Sequence, residues 1–228
     1  MTVGGVVGRQ LVASVKAATR ATAPSGGNCL SLVSARGITL RPIGTALGAA
    51  SEEEVRLLTE WRNRHVKAFL TEFEATQERT AAWLVESIGP DPGRIVFILR
   101  GRDGELFGLC GLAFADWEAG SVELDGVMRG TAAEPGGMTE AVRTLLDWAH
   151  CQLGLSTPLV RVVSDNPHAL GFYRRLGFVE THRVPLRRVA ERGMVRWVPD
   201  PSGPTEARQL VHHRMPAGAA STSQGRSQ

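Results

Sequence analysis

The only tyrosine of the chain, Tyr173, lies within Asn166-Pro-His-Ala-Leu-Gly-Phe-Tyr-Arg-Arg-Leu-Gly-Phe178. A phenol ionises near pH ~10, so it is protonated at neutral pH and can donate a proton where histidine is mostly unprotonated. Upstream, Arg129-Gly-Thr-Ala-Ala-Glu-Pro-Gly136-Gly137-Met138 runs directly into a helical pattern. Glycines ahead of a helix let backbone N–H groups converge on a phosphate, and the helix dipole adds positive potential there. Gly136, Gly137, Met138 and Thr139 are therefore candidate phosphate donors, with Arg129 beside them. The alternative is a simple turn. No Gly-Lys-Ser/Thr follows, so this is not a Walker loop, and its spacing and strand order are not those of a dinucleotide fingerprint.

The surrounding pattern supplies elements to hold these residues. Gly37 to Pro42 alternates like a first strand. Ser51-Glu-Glu-Glu54 has capping-box spacing and starts a helix through Val55, Leu58 and Trp61. Thr76 starts a second helix carrying Ala82, Trp83 and Ile88. Residues 94–100 and 106–114, joined through Asp103-Gly104, read as a hairpin. Residues 121–128 form a fourth strand. Thr139 to Leu153 is a helix with Val142, Leu145, Leu146, Ala149 and Leu153 on one face, closed by Gly154. A strand at 159–163, a helix at 167–176 and strands at 178–184 and 194–198 complete the set. Hairpin strands followed by β-α-β units predict an α/β (α+β) fold with a mixed, mostly antiparallel sheet of six to seven strands and about four helices.

Composition bounds the rest. The chain has 228 residues, 43% of them hydrophobic, enough for one well-buried domain with tails. No apolar run approaches the roughly 18 residues of a membrane span. Residues 1–51 hold Arg9, Lys16, Arg20, Arg36 and Arg41 and no acid, so the basic character belongs to this end and the remainder is slightly acidic. That gives no charge signature for nucleic acid. Cys29, Cys110 and Cys151 are widely spaced, which supports neither a disulfide framework nor a metal site, and reduced thiols in a cytoplasm are expected. Residues 1–36 read as a loosely ordered basic extension, with a transit peptide as the alternative. Residues 37–199 read as the folded domain, and 200–228 as a flexible tail in which His212-His213 is solvated.

Together, Val122 to Gly130, Gly136-Gly-Met-Thr-Glu-Ala-Val142 and Asn166 to Phe178 resemble the GNAT superfamily of N-acetyltransferases. Trp61-Arg62-Asn63 and the helix from Thr76 to Leu84 look like its branches that act on nucleotide-linked amino sugars or on protein N-termini. The resemblance covers roughly residues 37–198. It implies a sheet splayed around the fourth strand, where pantetheine inserts, with acetyl-CoA as co-substrate and no metal. Val127 and Met128 would then bond pantetheine through the backbone, the 136–139 amides and Arg129 would hold the pyrophosphate, and Asn166 would lie near the pantetheine arm. Tyr173 would protonate the departing thiolate, uphill by only about 2 kcal/mol for a phenol near ~10 and a thiol near ~8.5. Glu123 and Asp125, on one strand face, are candidates for accepting the amine's proton, with His65 and His168 behind them. Arg62 would bind an anionic group of the acceptor, flanked by Trp61 and Asn63. The loop departs from the family pattern: Thr131 to Pro135 lengthens it and Met138 replaces a small residue.

The expected activity is transfer of acetyl to a primary amine by direct attack on the thioester. A nucleotide-linked amino sugar is the preferred acceptor. The alternatives are a protein N-terminus, an aminoglycoside, or no catalysis at all in an acyl-CoA-binding module. The expected state is a monomer or homodimer without nucleic-acid or membrane partners.

Overall fold

The capping box at Ser51 closes as its spacing requires. Ser51 Oγ accepts from the Glu54 amide at 3.2 Å, and the Ser51 amide donates to Glu54 Oε2 at 2.9 Å. Two of the donors that a helix start leaves unpaired are thus satisfied reciprocally. The computed structural model describes residues 3–21 and 30–216. In chain order its elements are α1 (Val3–Ala21), β1 (Leu32–Val33), β2 (Thr39–Pro42), α2 (Glu52–Arg64), β3 (Thr71–Glu72), α3 (Gln77–Ala82), β4 (Ile95–Arg100), β5 (Leu106–Asp116), β6 (Ser121–Arg129), α4 (Gly137–Leu153), β7 (Thr157–Val163), α5 (Pro167–Leu176), β8 (Val179–Glu191), β9 (Met194–Pro199) and β10 (Gln209–Arg214). A 3₁₀ turn covers Val66–Ala68, and α3 continues as a π-helical stretch over Trp83–Ile88.

This is the mixed, mostly antiparallel α/β architecture expected, but with ten strands among the described residues instead of six to seven. Two of the additions, β1 and β3, are two residues long, too short for an alternation to register. The chain divides into two compact units: residues up to Trp61 with Thr76–Pro158, and Arg62–Ala75 with Leu159 onward.

In the first unit the strands run in the order β1-β2-β4-β5-β6, each pair antiparallel. β4 and most of β5 are buried on both faces. The face of α4 foreseen from its periodicity is the buried one. Trp148 meets Phe97 of β4 edge-on at 5.6 Å, and Gly154 closes α4 in the left-handed conformation.

The expectation of a loosely ordered extension fails for residues 3–21. α1 packs on α4 so closely that a Cβ on Gly8 would stand 2.5 Å from the Leu153 carbonyl oxygen. Lys16 is buried and donates to the carbonyl oxygens of Ile88 at 2.6 Å and Asp91 at 2.5 Å, tying α1 to the end of the π-helical stretch. Glycine and β-branched residues give α1 a poor intrinsic propensity, which tertiary packing overrides. Cys29 lies outside the described residues.

In the second unit the order is β7-β10-β8-β9-β3, again antiparallel throughout. Val163, Leu186 and Leu210 form its core, with Leu70 and Trp197 packed against them. β10 corrects the expected flexible tail: Gln209–Arg214 is a strand between β7 and β8. His213 is therefore buried, and the His212 ring stacks on His182 at 4.1 Å. Residues 217–228 of that expected tail lie outside the described residues.

Lys16→Met should lower stability by about 1–3 kcal/mol, because it strips buried carbonyls of their donor. Urea unfolding reads this directly, and an unchanged midpoint would mean that α1 does not dock.

Candidate active site

Strand β6 carries the first group of expected site residues, and a bulge divides it. Leu109 pairs with Met128 and Gly111 with Asp125, so Cys110 alone opposes Gly126 and Val127. Gly126 has φ +61°, a conformation that glycine adopts without the cost a side chain incurs. The ladder is broken at the position where Val127 was expected to offer its backbone. Met128, one residue on, is buried and back in register.

Glu123 and Asp125 share a face of β6, both half-buried. Asp125 is committed: Nε and Nη2 of Arg94 both donate to its Oδ2, at 3.1 and 2.7 Å. Taking up a proton there would mean giving up that pair. Glu123 stands opposite Ala113.

Between β6 and α4 the lengthened loop folds back on itself. The Gly130 and Thr131 amides both donate to the Phe107 carbonyl oxygen, at 2.8 and 3.1 Å. Arg129 is exposed and donates from Nε to the Thr131 carbonyl oxygen at 3.0 Å. Glu134 turns inward, where Arg102 bonds it from its amide at 3.3 Å and from Nε at 3.2 Å. Gly136 caps α4 at φ +77°. The Gly137 amide, expected to face a phosphate, donates instead to the Glu134 carbonyl oxygen at 3.0 Å. Among the described residues no acceptor is bonded by the first-turn amides of Met138 and Thr139, which a helix leaves without a partner of its own. Met138 accounts for the missing small residue, because its sulfur packs over Gly108, which has no Cβ to meet it. An interrupted strand, open amides and flanking arginines are what a pantetheine arm and its pyrophosphate require, so this unit fits a CoA thioester.

The Trp61-Arg62-Asn63 segment serves differently from the expectation. Trp61 is 1% exposed, and its indole lies directly on Gly130, so it supports the loop and presents no surface to an acceptor. Arg62 Nη2 donates to the Thr71 carbonyl oxygen at 2.6 Å, and its guanidinium stands over the rings of Phe69 at 4.2 Å and Phe73 at 4.4 Å. Asn63 grips Ala75 by both amide ends, at 2.9 and 2.8 Å. Arg62 and Asn63 thus shape the 69–75 segment.

In the second unit, Asn166 caps α5 through Oδ1, which accepts from the Ala169 amide at 3.1 Å, with Pro167 in the first helical position. Tyr173, seven residues on, shares that side of the helix. It is buried, edge-on to Phe172 at 5.2 Å and to Phe178 at 5.6 Å. His168 is exposed.

The same unit holds a cavity of about 540 Å³. Asn63 and Phe73 line it from one side, Arg188, Met194 and Val195 from the β8–β9 hairpin, with carboxylates Glu72, Glu74 and Glu191 around it. Burial works to raise the Glu72 carboxyl, but hydrogen bonds from Lys67 and Trp197 and the charges of Lys67 and Arg208 outweigh it and hold the group below the usual carboxylate range. Glu191 pairs with Arg196 at 3.1 Å. Glu74 and Arg188 are exposed and form no ion pair among the described residues. Only Asn63 of this lining was anticipated. The rest depends on a hairpin that alternation cannot aim.

Burial pushes the Cys110 thiol far up, which removes it as a nucleophile. Among the described residues no cluster of His, Cys, Asp or Glu could hold a metal ion, and no helix is long and apolar enough to cross a membrane.

Residues 45–179 match the family profile described as the acetyltransferase (GNAT) domain. No curated protein matches the chain by sequence. The fold is similar to that of spermidine N-acetyltransferase from Vibrio cholerae in complex with CoA and spermine, with 16% identity, a TM-score of 0.61, and 80% of this chain and 97% of that one covered. It is also similar to a probable acetyltransferase (GNAT family) from Chromobacterium violaceum, with 18% identity, a TM-score of 0.60, and coverage of 85% and 92%. At these identities the likeness is one of fold.

Gly130→Ala should cost about 1–3 kcal/mol by driving a methyl group into the Trp61 ring. A fall in the thermal unfolding midpoint reads this. No change would mean that the loop is not seated on Trp61.

Proposed function

From the premise that this chain belongs to the GNAT acetyltransferase family, we propose that it transfers an acetyl group from acetyl-CoA to the primary amine of a small molecule. The observation that carries the proposal is the β6 bulge at Gly126–Val127, followed by the open amides of Met138 and Thr139. Acetyl-CoA supplies a thioester whose carbonyl the amine attacks directly. Val127 is assigned to the pantetheine arm, and Met138, Thr139 and Arg129 to the pyrophosphate. Glu123 and Asp125, on one face of β6, are assigned as the candidate proton acceptors, with Asp125 paired to Arg94. Tyr173 is assigned as donor to the departing thiolate, for which a protonated phenol is suited at neutral pH.

The acceptor is assigned to the 540 Å³ cavity of the second unit. Two of its carboxylates, Glu72 and Glu191, are already paired with cations. Glu74 and Arg188 are left to recognise opposite charges on one molecule, an amine and an anionic group. A nucleotide-linked amino sugar fits that requirement, with Arg188 taking the anion-binding part first expected of Arg62. A polyamine is the second reading. The three carboxylates favour it, as does the spermine in the Vibrio cholerae structure, and the facing Arg188 opposes it.

Release of free thiol from acetyl-CoA should be at least tenfold more efficient with a nucleotide-linked amino sugar than with spermidine. The reverse preference would establish the polyamine reading, and faster turnover of a peptide amine would move the assignment to protein N-termini. Arg188→Ala should raise the KM of the anionic acceptor by about tenfold, a loss of roughly 1.4 kcal/mol, and leave that of spermidine unchanged. Tyr173→Phe should lower kcat at least tenfold with little change in the KM for acetyl-CoA, as loss of a general acid requires. Unchanged kcat would remove Tyr173 from the chemistry.

A further inference from the structure

We propose that Arg36 binds a phosphate of CoA, an inference that rests on the cofactor assignment above. Arg36 precedes residues 45–179, which match the GNAT family, so no motif of the family assigns it a role. It stands in the turn between β1 and β2, and that turn is tightly held. The Gly37 amide donates to the Ser34 carbonyl oxygen at 2.9 Å, and the Ile38 amide donates to Ser34 Oγ at 3.0 Å. From this turn the side chain reaches the start of α4. A Cβ built on Gly136, the residue that caps α4, would stand 3.1 Å from Arg36 Nη1.

A guanidinium at that position favours an anion beside it. The N-terminus of a helix carries roughly half a positive charge, which repels a cation. Gly136 has no side chain to cap the helix, and the Met138 and Thr139 amides add their own positive ends. Among the described residues Arg36 forms no ion pair. Glu134, the carboxylate of the loop, is buried and bonded to Arg102. Glu140, in the first turn of α4, forms no ion pair with Arg36 among the described residues. Arg129 adds a second exposed guanidinium at the other end of the loop. A phosphate lying between Arg36 and the start of α4 would answer both, and the planar fork of arginine suits two phosphate oxygens at once.

The test is calorimetric titration of the wild type, Arg36→Ala and Arg36→Lys with CoA, 3′-dephospho-CoA and pantetheine. Arg36→Ala should weaken CoA about tenfold or more and flatten the dependence of binding on salt, and pantetheine, which has no phosphoanhydride, should bind as before. Arg36→Lys should fall between the two proteins. A loss that persists with dephospho-CoA assigns Arg36 to the pyrophosphate, and a loss that vanishes assigns it to the 3′-phosphate; either supports the proposal. If the wild type binds CoA and Arg36→Ala binds it equally well with the same salt dependence, the proposal alone is overturned. If the wild type binds no CoA, the cofactor assignment falls with it.

Discussion

One residue of β5 faces two of β6, and the first unit is arranged around that mismatch. A regular antiparallel ladder would commit the β6 backbone groups that face β5 and leave none of those for a ligand. The bulge at Gly126–Val127 interrupts the ladder locally, since Met128 and Arg129 return to register, and a second irregularity lies between Ala113 and Asp116 near the start of β6. The chain therefore leaves β6 correctly aimed, with the Gly130 and Thr131 amides anchored to the Phe107 carbonyl oxygen, and enters α4 after a loop whose own carboxylate is already satisfied. Cys110, the single residue opposite the bulge, is fully buried and chemically silent.

Large side chains set against glycine fix what the bulge begins. Trp61 lies on Gly130 and Met138 lies over Gly108, contacts that only a missing Cβ permits. This packing seats the loop against the sheet and fixes where α4 begins. It also explains why Trp61 is a poor candidate for touching an acceptor. In the second unit the aromatic pair Phe69 and Phe73 does comparable work through Arg62, and the cavity wall follows from it.

Features written locally were legible in the sequence. The Ser51 capping box, the α4 face with Gly154 at its end, and the Asn166-Pro167 start of α5 all depend on residues within a turn or two of each other. Features that depend on distant partners were not. α1 hides behind glycines and valines, β3 is two residues long, and β10 sits in a stretch that reads as a polar tail. The bulge does have a local signal: Gly126, isolated inside an alternating strand. Arg62 carried the right chemistry for an anion but was already engaged by Thr71, a contact that no spacing rule reveals. Arg36 is one of several basic residues near the N-terminus in sequence, and only the fold brings its turn beside Gly136.

The most direct test of the central claim is amide hydrogen exchange, resolved to single residues, with and without CoA. Exchange at Val127, Met138 and Thr139 should slow when CoA is present, with Gly130 and Thr131 unaffected because Phe107 already holds them. CoA binding that leaves the amides of Val127, Met138 and Thr139 unprotected would contradict that claim, and the bulge would then be a packing feature with no part in holding the cofactor.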